Sequence, residues 1–207
     1  MVSGPFTIAL VLVTVLISLA AFSNEHLMNR LILWPGRMGR GGGEYYRLLS
    51  SGFIHLDTAH LVVNMFTLYF MGSVVEAEFR ASGISEWVYV MLYLTGIVAA
   101  SLPSFYKHRH NSYYRSLGAS GGVAAVIFSS IYFQPWSPLY LFGVVKLYSV
   151  IFAVLYLALS AYMARRGSDN VNHDAHFWGA VYGLVFTCIV EPTHGQRFLE
   201  EIQNVPF

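Results

Sequence analysis

The segment from Pro5 to Phe22 contains no charged residue, and this apolar run restricts the fold more than any other feature of the chain. A helix of this length satisfies its backbone polar groups internally and can cross most of a bilayer. The same bias extends to the whole chain, since 56% of its 207 residues are hydrophobic and only 11% are charged. A soluble domain carries about 25% charged residues. The sequence therefore predicts an all-α, polytopic membrane protein.

Six apolar segments are predicted to cross the membrane, joined by polar loops. They are residues 5–22, 55–75, 87–102, 120–133, 138–164 and 175–190. Together they predict one membrane domain over residues 1–207, with no soluble accessory domain. No lysine or arginine precedes the first run, as one would in a signal peptide, so we interpret it as a retained helix. The fourth segment is only about 21 Å long at ~1.5 Å per residue, so its start is expected below the membrane surface.

Two polar segments are expected at the membrane surface. Leu27 to Trp34 predicts a short amphipathic piece at the interface, followed by a glycine run at 41–43 that ends any helix. The loop SFYKHRHNSYYRS at 104–116 is basic and aromatic, which suits either a nucleic acid or lipid headgroups. The net charge of the chain is only +1. We therefore expect the lipid bilayer as a partner and no nucleic acid.

The single cysteine, Cys188, lies inside an apolar run, and we interpret it as a small buried hydrophobe. One cysteine excludes an internal disulfide and a cysteine-based zinc site. Because the chain has several histidines in or near its spans, a haem- or metal-binding membrane protein stays open as a hypothesis, although the chain contains no HExxH pattern. The candidate ligands for it are His55, His60, His173 and His176. Our own expectation is that the protein has no metal and no cofactor.

Polar side chains inside apolar spans are costly, so they are usually functional or tightly paired. His60 and Asn64 are four residues apart and share one face of the second span. Ser120 opens the fourth span within the sequence LGASGG, where Gly118 permits a tight turn and a close approach. These groups form two of the three polar clusters in the spans.

The third cluster lies on the sixth span, where His176, Gly179 and Gly183 have the spacing i, i+3 and i+7. Two glycines on the same helix face as a histidine let a neighbouring helix come unusually close to that face. His176 is therefore a candidate general base for Ser120, whose hydroxyl is barely ionised near neutral pH without one.

Backbone N–H groups at the start of the fourth span, near Gly118, would bind an oxyanion together with Asn64 and His60. This arrangement predicts acyl transfer by a Ser–His dyad. A structural interpretation of each cluster stays open: Ser120 as a helix N-cap, the glycines as ordinary packing, and His60 with Asn64 as an internal hydrogen-bonded pair.

Four sequence pieces occur in order between Glu44 and Gly183: EYYR, HLVVN, GASG and AHFWGAVYG. In this order they resemble the rhomboid family of intramembrane serine proteases. The resemblance implies a six-helix core, with Ser120 as nucleophile and His176 as general base. It also implies that Asn64 and His60, with the backbone of Ser120, stabilise the oxyanion.

The resemblance extends to the first loop and its surroundings. Glu44 and Arg47 match the E-x-W-R pattern of the family, which braces a membrane-embedded first loop, with Tyr46 in place of the tryptophan. His173 lies outside the matched histidine position and is interpreted as a loop residue. His55 falls where many relatives carry a histidine near the mouth of the site, and no role is assigned to it.

One position departs from the family. Many relatives have a tyrosine four residues after the serine, stacked on the catalytic histidine, whereas this chain has Ala124. Either another aromatic residue, Phe177 or Tyr182, supports the ring of His176, or that ring is held less rigidly.

By resemblance, the expected function is cleavage of single-pass transmembrane proteins near the extracytoplasmic surface. A monomer suffices for this mechanism, so no oligomer is required. The alternative is a non-proteolytic relative that binds transmembrane helices. A bacterial inner membrane is the expected location.

The charge pattern conflicts with the orientation that the family implies, in which both termini are cytoplasmic. Nine of the 12 lysines and arginines then lie in outer loops, whereas positively charged loops usually stay inside. These nine are Arg30, Arg37, Arg40, Arg47, Lys107, Arg109, Arg115, Arg165 and Arg166.

Overall fold

The computed structural model describes residues 4–39, 43–141, 144–166 and 171–205, so Arg40 and the first two glycines of the run at 41–43 lie outside it. Helices make up most of the described chain. The elements are α1 Pro5–Phe22, α2 Glu25–Leu31, α3 Pro35–Arg37, α4 Arg47–Ser50, a 3₁₀ turn Ser51–Phe53, α5 Thr58–Ala81, α6 Trp87–His108, α7 Ser120–Phe133, β1 Pro138–Leu141, β2 Val145–Tyr148, α8 Ser149–Arg166, α9 His173–Val190 and α10 His194–Gln203.

Within the described ranges, four helices are long and apolar enough to cross a membrane: α1, α5, α6 and α8. Helix α7 is apolar but has only 14 residues. Three of the first four residues of helix α9 are polar, namely His173, Asp174 and His176, and they lower its mean hydropathy. The prediction of a mostly helical membrane protein is confirmed, whereas the count of six spans is not.

Two predicted helix starts need correction because side-chain caps set them. α5 begins at Thr58 instead of residue 55, because the Asp57 carboxylate accepts the N–H of His60 at 2.7 Å. α9 begins at His173 instead of residue 175, because the side chain of Asn172 caps it. His173 is therefore a helical residue, and its interpretation as part of a loop is wrong.

The predicted end of the third span was also wrong. Helix α6 continues through Pro103 to His108 instead of ending at residue 102. Proline removes one helical hydrogen bond, and packed membrane helices tolerate that loss.

The predicted fifth span starts too early. Residues 138–141 and 145–148 form two paired antiparallel strands in which Pro138 lies opposite Tyr148, and α8 begins at Ser149. Pro138 has no backbone N–H to donate to a helix, and the valine, leucine and tyrosine residues of this segment favour extended backbone. The predicted all-α class therefore needs correction, because the structure also contains one small two-stranded sheet.

Two features near the end of the chain also differ from expectation. Cys188 is exposed instead of buried. After α9 the chain forms a further helix, α10, which the apolar pattern did not predict. Its Phe198 packs on Tyr132 of α7, with ring centroids 5.2 Å apart.

Helix α7 lies at the centre of the packing, and all its residues except Ser120 and Ile127 are buried. Small residues allow its neighbours to come close. A Cβ at Gly122 would lie 2.7 Å from the Cγ1 of Ile97 on α6. Because other helices surround α7, protein instead of lipid covers its polar start.

Helix α1 packs along α5, and its first turn is held by a buried carboxylate. Glu76 of α5 accepts the backbone N–H groups of Phe6 at 3.0 Å and Thr7 at 2.8 Å, and also the hydroxyl of Thr7 at 2.6 Å. These N–H groups have no partner within α1, so Glu76 caps the helix from a neighbouring element. The buried face of α1 consists of Thr7, Leu10, Thr14, Ser18 and Ala21.

Candidate active site

Ser120 is the first residue of α7, and a sharp turn at Gly118 leads the chain into it. Gly118 has a φ of 117°, a conformation that residues with a side chain rarely adopt. A Cβ at this position would also lie 2.7 Å from the Cε1 of His60. The glycine is thus needed both for the turn and for the approach of His60.

The start of α7 presents free N–H groups beside Ser120. The first hydrogen bond within the helix runs from the N–H of Val123 to the carbonyl oxygen of Ala119, at 2.9 Å. The N–H groups of residues 120–122 therefore have no partner inside the helix. Donors at this positive helix end suit a negatively charged oxygen.

Helix α9 lies directly against this start through its two glycines. A Cβ at Gly179 would lie 2.2 Å from the carbonyl oxygen of Gly121, and one at Gly183 would lie 2.0 Å from that of Ala125. His176 is three residues before Gly179 and shares its face. The structure therefore brings the face of α9 that carries His176 against the end of α7 that carries Ser120.

Tyr156 supports the ring of His176. Tyr156 lies on α8, and its ring stacks on that of His176 with centroids 6.0 Å apart and planes inclined by 29°. The ring of His173 contacts His176 edge-on at 5.8 Å. Of the two residues expected in this role, Tyr182 instead donates a hydrogen bond to Thr95 at 2.6 Å.

Phe177, the other expected residue, packs its ring edge-on against Trp178 at 5.4 Å. Sequence reasoning missed Tyr156 because it belongs to another helix, and no short spacing relates it to His176. The small side chain of Ala124 lies in the same cluster as Tyr156, so its size is the signal that a neighbour fills this space.

Asn64 and His60 lie on one face of α5, as their spacing predicts. The Nδ2 of Asn64 donates to the carbonyl oxygen of His60 at 2.9 Å, which leaves the second N–H of this amide available. His60 lies against Gly118, two residues before Ser120. His60 is thus close to the turn that leads into α7, and Asn64 lies one helical turn further along α5.

His55 is fully buried, and its ring links α1 to the start of α7. Its Nε2 accepts the N–H of Ala119 at 3.3 Å, and its Nδ1 lies 2.9 Å from the hydroxyl of Ser18. Because Nε2 accepts, the proton of the neutral ring is on Nδ1 and is donated to Ser18. Burial lowers the pKa of His55 from 6.5 to about 4 and keeps this neutral form. The ring therefore holds the residue that precedes Ser120.

A small cavity lies beside Ser120. Its volume is about 20 Å³, enough for one water molecule. Its polar lining comes from four separate segments of the chain. The lining residues include Ser51, Ser101, Ser116, Ser120 and Asn172.

The side chains of Glu44 and Arg47 bind each other, with the Arg47 Nε 2.6 Å from the Glu44 Oε2. Only 1% of the Arg47 side chain is exposed, and its Nη1 donates to the carbonyl oxygens of Asn29 and Ile32, at 2.8 Å each. The hydrogen bond from Arg47 lowers the pKa of Glu44. This pair ties the end of α2 to α4.

The four histidines of the haem or metal hypothesis form two edge-to-face pairs. The rings of His55 and His60 lie 5.0 Å apart, and those of His173 and His176 lie 5.8 Å apart. Across the part of the chain that the structure describes, no three histidine, cysteine or acidic side chains are placed to hold a metal ion.

Comparison with known proteins gives one family. The family model described as Rhomboid domain matches residues 42–192. RHOMBOID-like protein 12, mitochondrial, from Arabidopsis thaliana is 25% identical over 79% of this chain and 51% of its own length. Rhomboid-related protein 1 from Caenorhabditis elegans is 31% identical over 72% of this chain and 40% of its own length.

A bacterial protein is also similar over a shorter region. Rhomboid protease GluP from Bacillus subtilis is 30% identical over 44% of this chain and 16% of its own length. The chain spans about half or less of the length of these three relatives. Together with the apolar helices, the matches identify an integral membrane protein. Two relatives are named as mitochondrial and chloroplastic, so the comparisons do not support the expected bacterial inner membrane.

Proposed function

We propose that this chain, which belongs to the rhomboid family, is an intramembrane serine endopeptidase. The observation that carries the proposal is the packing of α9 on α7. The contact of Gly179 with Gly121 directs the face of His176 towards the helix start that holds Ser120. A serine with a neighbouring imidazole and free backbone N–H donors has the groups that acyl transfer requires.

In the first step the Oγ of Ser120 attacks the peptide carbonyl carbon, and His176 accepts the hydroxyl proton. The carbonyl oxygen becomes an oxyanion, which the N–H groups at the start of α7 stabilise, with the free N–H of Asn64 and the ring of His60. The C–N bond then breaks, and the protonated His176 gives its proton to the departing amine. An acyl ester on Ser120 remains.

In the second step a water molecule attacks this ester, and His176 accepts a proton from the water. The ester bond breaks, the new carboxyl group leaves, and the proton returns to Ser120. The cavity beside Ser120 has room for such a water molecule. The proposed reaction needs no metal and no cofactor.

The proposed substrates are single-pass transmembrane proteins, cleaved near the extracytoplasmic surface. A site at the start of a short, protein-covered helix is suited to a peptide bond that has unwound from a substrate helix. The carbonyl oxygen of that peptide loses its hydrogen bond within the substrate helix, and the free N–H groups at the start of α7 replace it. The proposal treats the chain as one membrane domain that acts without an oligomer.

The test is cleavage of a panel of single-span substrates in liposomes, together with labelling by a fluorophosphonate in detergent. Ser120→Ala and His176→Ala should each abolish both signals while the protein still inserts and purifies. Ser130→Ala on the same helix and His26→Ala at an exposed position are matched controls and should retain them. Normal cleavage by Ser120→Ala would remove the proposed dyad. Wild-type protein that neither cleaves nor labels, yet binds the substrate helices, would instead indicate the non-proteolytic alternative.

A further inference from the structure

The side chain of Asn172 joins three elements around the site, although no sequence pattern pointed to it. Its Oδ1 accepts the N–H of Ala175 at 3.1 Å and so caps α9. The same oxygen accepts the hydroxyl of Ser104 on α6 at 3.0 Å. Its Nδ2 donates to the hydroxyl of Ser116, in the loop before α7, at 3.0 Å. One amide thus connects the first turn of α9 to both neighbours.

His176 lies in the turn that Asn172 holds. The N–H of His176 donates to the carbonyl oxygen of Asn172 at 3.3 Å, so the two residues are the ends of one helical hydrogen bond. Ser116, which Asn172 binds, is four residues before Ser120, and Asn172 lines the cavity beside Ser120. Asn172 therefore connects the backbone of the candidate base, His176, to the loop that leads to the candidate nucleophile, Ser120.

A second contact holds the same turn, but it is exposed to solvent. The Nζ of Lys107 lies 2.8 Å from the Oδ2 of Asp174, with 52% and 25% of the two side chains exposed. Exposed ion pairs contribute little to structure. Ser104 is fully buried, so water does not compete for its hydrogen bond to Asn172. The amide is thus the stronger of the two connections.

We propose that Asn172 is a positioning residue. By binding Ser104 and Ser116 it fixes the first turn of α9 and so places His176 against Ser120. This inference rests on the proposed protease function. It predicts an effect on kcat, because a displaced base slows proton transfer without altering how a substrate helix docks.

Asn172→Ser separates positioning from capping. Serine still caps Ala175 but is too short to reach both Ser104 and Ser116. We expect a melting temperature close to that of the wild type, a kcat lower by about 10- to 100-fold, and a KM within about threefold. Lys107→Ala removes the exposed contact to the same turn and is the matched control, with wild-type kcat.

The double variant Ser104→Ala/Ser116→Ala should reproduce this loss of kcat while Asn172 is intact. Adding Asn172→Ser to it should cause little further loss, because all three residues act through the same bonds. Wild-type kcat in Asn172→Ser would overturn the proposal, and so would fully additive losses.

A readout that needs no turnover separates this inference from the proposed function. In protein labelled with ¹⁵N-histidine, the His176 ring signal is assigned by its loss in His176→Ala. We expect this signal to shift or broaden in Asn172→Ser and to stay unchanged in Lys107→Ala. An unchanged signal in Asn172→Ser overturns the positioning role. A changed signal in a protein whose wild type neither cleaves nor labels contradicts the protease function and leaves the positioning role standing.

Discussion

The ring of Tyr156 on α8 stacks on the ring of His176 on α9, with centroids 6.0 Å apart. Phe128 of α7 and Phe152 of α8 hold Tyr156 in turn, at centroid distances of 5.9 and 5.5 Å. The candidate base is therefore supported from α8, a helix with only three buried residues, Ser149, Ala153 and Ser160. Aromatic stacking fixes a ring plane without requiring a hydrogen bond.

Removing this ring should slow catalysis more than it weakens substrate binding. For Tyr156→Ala we expect a kcat about 10- to 100-fold lower, because His176 loses its orientation. Tyr156→Phe keeps the ring and should stay within about twofold of the wild type. Kinetics of substrate cleavage in liposomes measure kcat and KM for both variants.

A swapped variant sharpens this test. Ala124→Tyr combined with Tyr156→Ala moves an aromatic ring from α8 to α7 within the same cluster. Partial recovery of kcat relative to Tyr156→Ala is expected. Equal kcat values for Tyr156→Ala and the wild type would contradict a supporting role for the ring.

The glycine contacts between α7 and α9 should be intolerant of one added methyl group. In Gly183→Ala the new Cβ would lie 2.0 Å from the backbone oxygen of Ala125, and backbone cannot move aside as a flexible side chain can. We expect a loss of about 1–3 kcal/mol of stability and reduced fluorophosphonate labelling of Ser120. Ile189→Ala changes an exposed position of α9 and should alter neither. Unchanged labelling in Gly183→Ala would mean that close packing of α9 on α7 is not needed to place the base.

The sequence predicted those parts of the site that depend on short spacings. Ser120 follows a glycine turn, and His176 shares one helix face with Gly179 and Gly183. Each of these two patterns can be recognised from residues that are close together in the sequence. Asn172 could not be identified in this way. Its bond to Ser104 joins residues 68 positions apart, and an asparagine in a loop is chemically unremarkable until its partners are known.

The fold was predictable to a similar degree. Long apolar runs predicted the helical class, because the backbone must satisfy its polar groups internally in lipid. Their ends were not predictable, because polar caps such as Asp57 and local backbone preferences near Pro138 decide them. Hydropathy averages over these single residues and so misses them.

Glu76 is expected to be a main determinant of stability. Replacing it with alanine leaves the N–H groups of Phe6 and Thr7 without a partner in a buried place. Each unpaired buried donor costs about 1–3 kcal/mol, so Glu76→Ala should lower the melting temperature in detergent substantially. Glu76→Gln keeps one acceptor oxygen and should fall between alanine and the wild type. Arg80, whose Nη2 is 4.0 Å from Glu76, is 55% exposed, so Arg80→Gln should have little effect. Equal losses in the Glu76 and Arg80 variants would indicate that the ion pair, and not the cap, stabilises α1.

The buried His55 makes stability depend on pH in a defined window. Its pKa is about 4 in the folded protein and 6.5 in the unfolded chain, so only the unfolded chain binds a proton between these values. The stabilisation is complete above pH 6.5 and declines as the pH falls towards 4, by up to about 3 kcal/mol. Protonation would also break the bond from Ala119, because Nε2 could no longer accept its N–H. Unfolding in detergent between pH 4.5 and 7.5 should therefore show a shallower dependence in His55→Gln than in the wild type or in the exposed-site control His26→Gln. Parallel curves for His55→Gln and the wild type would mean that the ring is not held neutral by its burial.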